Sequence, residues 1–182
     1  VLVAAVSFGL GALLAPVAAG AATTCTFTTV GTTMTLDGDC PTDATIVVPD
    51  GFTLDGAGYT ITAVDPPGGH VLGAIIKNGG STASVMNVTA TTSGLANVCD
   101  GGDDRLRGIL FDGASGDIVW NTVRDINQGP SGCQEGNAIE IRKAPFDTTR
   151  VDVSVTISDN HVAGPPTAGS PRRSCPGSSC RR

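Results

Sequence analysis

Three short stretches of this chain hold the residues best equipped for chemistry. The loop "CDGGDD" (99–104) sets Asp100, Asp103 and Asp104 on a Gly-rich segment, where carboxylate oxygens can converge on Ca²⁺. Two carboxylates about 5 to 9.5 Å apart can instead divide acid and base work on a glycosidic bond. The stretch "AIEIRK" (138–143) adds Glu140 and Arg142, so that Asp103, Asp104, Glu140 and Arg142 are the residues that qualify for a convergent catalytic set. The third stretch, "DIVWNTVRD" (117–125), places the single Trp of the chain, Trp120, directly before Asn121. An indole can stack on a sugar ring or fill a core. An Asn at such a place can hold a ligand or act as a rung in a structural ladder.

Other chemistries are excluded by what these residues lack. His70 and His161 are the only two His, they have no nucleophile nearby, and no Gly-x-Ser-x-Gly occurs. Neither a C-x-x-C nor a close pair of His is present, which argues against zinc. The net charge of -6, with only 11 Lys and Arg, leaves no basic surface for nucleic acid.

The elements that must position these groups are strands. With 182 residues, 25 Gly and 4% aromatics, the chain is one domain at most. Residues 1–22, "VLVAAVSFGLGALLAPVAAGAA", have an apolar run followed by small residues, as in a secretory signal peptide. Nothing later approaches the roughly 18 apolar residues of a membrane span. The expectation is therefore a secreted, extracellular protein whose six Cys pair, with no stable membrane span once the signal is removed.

An internal repeat gives the architecture. "GAIIKNGGSTASVMNVTA" (73–90) matches "GILFDGASGDIVWNTVRDI" (108–126) in its order of Gly, aliphatic pair, Gly-containing turn, second aliphatic run and Asn. "NAIEIRKAPFDTTRVDVSVTISDNHV" (137–162) is a third copy and "ATIVVPDGFTLDGAGYTITAV" (44–64) reads the same way. Each copy has two or three strands of about four residues, too short to bury a face alone, so copies must stack. Helical periodicity is missing throughout. A sandwich of antiparallel hairpins is the competing arrangement. Stacking at the strand spacing would bring Cys99 and Cys133, in equivalent loops, to disulfide distance. Cys25 and Cys40 then pair across the N-terminal cap, residues 23–43.

In the stacked reading Ile157 and Val162 fall on Ile118 and Val123, and Asn160 falls on Asn121 at the bend after the second strand. Asn121 and Asn160 are thus expected to form a ladder, bonding backbone groups and each other. For Asn87, an ungapped match places it on Asn121, whereas the apolar phase of "SVMNVTA" shifts it by one. Trp120 reads as a rim or outward residue packed under a loop, with an exposed sugar platform or a core position as alternatives. Pairs such as Thr60 with Thr62 and Thr89 with Thr91 suggest an ice-binding array, but they do not recur in every copy.

On "TIVVPDGFTLDGAGYTITA", "GILFDGASGDIVWNTVRDI" and "VTISDNHVAG", the chain resembles secreted bacterial right-handed parallel β-helix proteins of the pectate-lyase-like superfamily, over residues 44–164. The resemblance implies an all-β solenoid. It also implies a carbohydrate site along the first strands, walled by loops 92–107 and 127–136. Lys77, Asp112 and Arg142 would then be outward first-strand residues in a column of alternating sign, serving as glycan subsites or as an exposed ion-pair ladder. The "GDD" of residues 102–104 is similar to an acidic motif of the polygalacturonases. Their Asn-Thr-Asp, Gly-His-Gly and Arg-Ile-Lys companions are absent here, as is the Trp-Ile-Asp-His run of the lyases.

The functional expectation is a secreted β-helix protein that binds extracellular or cell-wall polysaccharide without demonstrated catalysis, the enzyme question leaning to no. A fragment of a polysaccharide lyase or glycoside hydrolase is one alternative, and a structural or adhesive surface protein another. No cofactor is expected beyond a Ca²⁺ option on Asp100, Asp103 and Asp104, and the sequence assigns no oligomeric state. After "DNHVAG" the pattern stops. Residues 165–182 lack Val, Ile, Leu, Phe, Tyr and Trp, and read as a disordered or out-of-frame tail on a truncated solenoid.

Overall fold

The structure, a computed structural model, describes residues 23–96, 98, 100–126, 136–144 and 149–164. The signal segment 1–22, the tail 165–182 with Cys175 and Cys180, and the expected Cys99–Cys133 pair all lie outside them.

In chain order the strands are β1 (Phe27–Val30), β2 (Thr33–Leu36), β3 (Cys40–Thr42), β4 (Ile46–Val48), β5 (Phe52–Asp55) and β6 (Thr60–Ala63). There follow β7 (Ala74–Asn78), β8 (Ala83–Met86), β9 (Thr89–Thr92), β10 (Arg107–Asp112), β11 (Gly116–Val119) and β12 (Thr122–Arg124). The last three are β13 (Asn137–Arg142), β14 (Val155–Ser158) and β15 (His161–Ala163). The only helical turn among the described residues is a 3-10 turn at Gly102–Asp104.

These strands form three sheets. The first is β4-β7-β10-β13, the second β1-β2-β5-β8-β11-β14 and the third β3-β6-β9-β12-β15. From β4 onward the chain visits first, second and third sheet in the same rotation four times, and every pairing between successive visits is parallel. An antiparallel sandwich is thereby excluded. The antiparallel exception is β1 on β2, which covers one end of the second sheet. The Cys25–Cys40 disulfide, with Cα atoms 5.1 Å apart, fastens this covering segment to the start of the third sheet.

Period-2 alternation explains the core. Ile46, Ile76 and Ile109 stack in the first sheet, Leu54, Val85 and Ile118 in the second, and Ile61, Ala90 and Val123 in the third. All are buried. Burial of each large aliphatic side chain contributes about 1.5 to 3 kcal/mol, which none of these short strands could obtain alone. In the last visit the burial weakens, leaving Ile157 51% and Val162 54% exposed.

Register is set by this apolar phase. Val85 pairs with Ile118 and Thr89 with Thr122, so Val88 lies opposite Asn121, 33 residues away, and Asn87 opposite Trp120. Asn87, Trp120 and Asp159 occupy one position in three successive visits, and all three are left-handed, with φ of 53°, 58° and 55°. The bend therefore begins at Trp120. Its side chain leaves the strand alternation and stands 57% exposed, so the expected packing under a loop does not occur. Close stacking also demands Gly116, where φ is 137° and a Cβ would come within 1.8 Å of the Ala83 carbonyl oxygen.

Candidate functional site

The charged residues singled out from the sequence gather on the outward side of the first sheet, around Arg142 at the end of β13. Arg142 reaches Asp103 Oδ1 through Nη1 at 2.6 Å and Asp112 Oδ2 through Nη2 at 2.6 Å, while its Nε lies 3.7 Å from Glu140 Oε1. Lys77 Nζ joins at 3.3 Å from Asp112 Oδ2. Behind them Arg107 Nε sits 2.9 Å from Glu140 Oε2 as an ion-pair contact, and Asn137 Nδ2 donates to the same oxygen. Three cations thus face three carboxylates, and the cluster is neutral as a whole.

The strand register differs from the expected column. Asp112 does pair with Arg142, but Lys77 lies opposite Leu110, two residues short of the place beside Asp112. Lys77 reaches Asp112 diagonally. The cluster is also not an exposed ladder, because the Asp112 side chain is 1% exposed and that of Arg142 11%.

Arg107 was not apparent as a site residue. Its guanidinium, also 1% exposed, donates to the carbonyls of Gly102, Asp103 and Arg105, and so props the 3-10 turn from below. The available signal was a lone basic residue opening the otherwise apolar "RGILF". Asn78 was missed as well. Its Oδ1 accepts from Asp112 N and its Nδ2 donates to the Asp112 carbonyl, which fixes the backbone at the cluster.

The acidic loop is pulled apart. Asp103 turns to Arg142, whereas Asp100 meets His70 Nε2 at 3.1 Å and ties this loop to the one before β7. Asp104 is exposed, and its backbone carbonyl accepts from Gly73 N. The convergent oxygen set that Ca²⁺ would need from Asp100, Asp103 and Asp104 is not assembled. Among the described residues no group of three or more His, Cys, Asp or Glu is arranged to hold a metal.

Electrostatics bear directly on catalysis. The hydrogen bond from Arg142 holds the Asp103 carboxyl below its ordinary value. At Glu140 burial pushes upward, but the bonds from Arg107 and Asn137 outweigh it and the net shift is also down. Burial pushes Arg142 down, yet Asp103 and Asp112 hold the guanidinium above its usual value. Both shifts favour the ionised carboxylates over the protonated form that a glycosidase acid needs. Arg142 is correspondingly a poor base.

Next to the cluster, at the C-terminal ends of β7 and β10, lies an open cavity of about 380 Å³. Its walls include Lys77, Ser81, Asp112, Lys143 and Thr149. Asp112 Oδ1 is buried and has no hydrogen-bond partner among the described residues, although Oδ2 is engaged twice.

At the opposite end of the second-sheet strands, the Asn ladder is present. Asn160 Oδ1 accepts from both Asn121 N (2.9 Å) and Asn121 Nδ2 (3.0 Å), and Asn121 Oδ1 accepts from Val88 N (3.2 Å). Asn121 is 1% exposed, with every polar atom turned to protein.

Fold and site together define an all-β protein of stacked parallel strands bearing an Arg-centred charge cluster. Comparison with known proteins adds no name to this class: no family model, curated protein or solved structure gives a significant match.

Proposed function

We propose that the chain is a right-handed parallel β-helix, exported and disulfide-bonded, whose first-sheet surface binds extracellular or cell-wall polysaccharide without catalysing its breakdown. The fixed rotation of parallel-paired strands through three sheets from β4 onward supports the helix, and parallel crossover connections are right-handed in all but about 2% of cases. The disulfide and the lack of a membrane-spanning helix among the described residues are compatible with an extracellular setting.

The observation that carries the binding reading is the cavity beside Asp112. It presents two amines and two hydroxyls beside the buried Asp112 carboxylate, a mixture that hydroxyl-rich or uronate chains satisfy. Binding is favoured over turnover because the shifts at Asp103, Glu140 and Arg142 all favour their charged forms.

Retention of the full chain on immobilised polysaccharides, read alongside release of unsaturated products or new reducing ends, tests this. Retention without product, weakened by Lys77→Ala, is the expected result. Turnover that disappears in Asp103→Ala would replace this reading with the enzyme.

A further inference from the structure

The bend between the second and third sheets holds a feature that the first-sheet cluster does not explain. Non-glycine residues with φ near +55° are strained, and Asn and Asp are the side chains that tolerate it best. The column obeys this rule at Asn87 and Asp159 and breaks it at Trp120. Packing does not compensate the choice, since the indole is 57% exposed. Strain and exposure together, in the single Trp of the chain, mark a residue held for something outside the fold.

What the indole borders is a cleft of about 430 Å³, also walled by Asp55, Gly58, Asn87, Thr89 and Thr122. Thr89 and Thr122 are in register on the third sheet, so their side chains stand side by side. Asn87 Nδ2 donates to Asp55 Oδ1 at 3.2 Å, which braces the amide and the carboxylate against each other. The far wall arises from a two-residue insertion, Ala57 and Gly58, because Asp55 pairs with Met86 but Thr60 with Thr89. The cleft thus offers one flat aromatic face, two hydroxyls, one amide and one carboxylate. Lys and Arg are absent from its lining.

We propose that this cleft is a binding site for a neutral pyranose unit of a glycan, with Trp120 as the stacking platform. The apolar C–H face of a pyranose ring covers an indole, and its rim hydroxyls match short polar side chains around it. The lone carboxylate accepts hydroxyl protons and, with no cation beside it, repels uronates. The cleft shares no lining residue with the cavity beside Asp112, so it stands or falls independently of the first-sheet reading.

Trp120 is its own reporter. Titration of the full chain with cello-, laminari-, xylo- and manno-oligosaccharides should give a saturable change in Trp fluorescence with at least one neutral series, and none with oligogalacturonate. Trp120→Asn removes the platform while suiting the left-handed backbone. It should unfold at no lower urea concentration than the wild type, yet lose roughly tenfold or more in affinity by calorimetry. Trp120→Phe should retain part of the affinity. Failure of every neutral series to perturb the fluorescence, or unchanged affinity in Trp120→Asn, would overturn the proposal. Uronate binding that responds to Lys77→Ala, with no neutral series perturbing the fluorescence, would leave the first-sheet reading standing while this one falls.

Discussion

Two buried polar side chains hold the stack in a way apolar columns cannot. Asn121 serves three neighbours at once: it accepts from Val88 N, donates to the Val85 carbonyl at 3.0 Å and donates to Asn160. Asn121→Ala strands the Val88 N–H and the Val85 carbonyl away from water, at a cost of about 3 kcal/mol. The urea midpoint should fall accordingly, with an unchanged slope. Arg107 is the second. Replacing it by Met keeps the volume but leaves Glu140 without its principal cation and three loop carbonyls without a donor. Breaking such a pair should cost about 3 kcal/mol. The loosened 3-10 turn should become the first site of limited proteolysis, whereas cleavage elsewhere would show that Arg107 does not hold it.

Strands and turns carry a different kind of constraint, close backbone approach. At Gly116 a methyl group would meet the Ala83 carbonyl, so Gly116→Ala should disrupt the β8–β11 pairing and cost about 3 kcal/mol or more by thermal unfolding. The Cys25–Cys40 bridge spans a sequence separation of 15 and holds the segment covering β2 and β3. Its removal by Cys25→Ala with Cys40→Ala should cost about 3 kcal/mol. Elements of this kind were legible in the sequence because repeated aliphatic positions and Gly-rich turns state the strand phase directly. Ile118 and Ile157 could be matched by eye, and the phase of "SVMNVTA" gave the shift that sets Val88 against Asn121. The cluster was less legible. Lys77 and Asp112 meet across a diagonal, which depends on side-chain length and on the turns after β7 and β10, and neither leaves a periodic trace. Arg107 left no such trace either, because its partners are backbone carbonyls and a carboxylate thirty-three positions on. The outward course of Trp120 was legible from its unlike counterparts in the other copies, whereas alternation within "DIVW" alone says nothing about where the backbone turns left-handed.

Across the whole molecule the carboxylates act together. Asp37, bonded chiefly by Thr28, Asp43 by Thr23, Asp50 by Thr82, and Asp103 by Arg142, all titrate lower than free carboxyls. Glu140 does so against its own burial. A depressed folded value stabilises the fold fully above the unfolded value and is lost as pH falls through the folded one. Urea midpoints should therefore be flat above about pH 5 and decline below about pH 4. A decline beginning near neutrality would contradict this. One further consequence follows from the unequal ends of the stack. The β1 side is cross-linked by Cys25–Cys40 and buries Leu36 and Cys40, while Ile157 and Val162 on β14 and β15 stand half-exposed. In a near one-dimensional array each layer is held mainly by those beside it. Opening therefore has a direction, and backbone amides of β14 and β15 should exchange with deuterium sooner than those of β5 and β8. The protein then behaves like a clock spring pinned at one end, in which stability is a gradient along the axis.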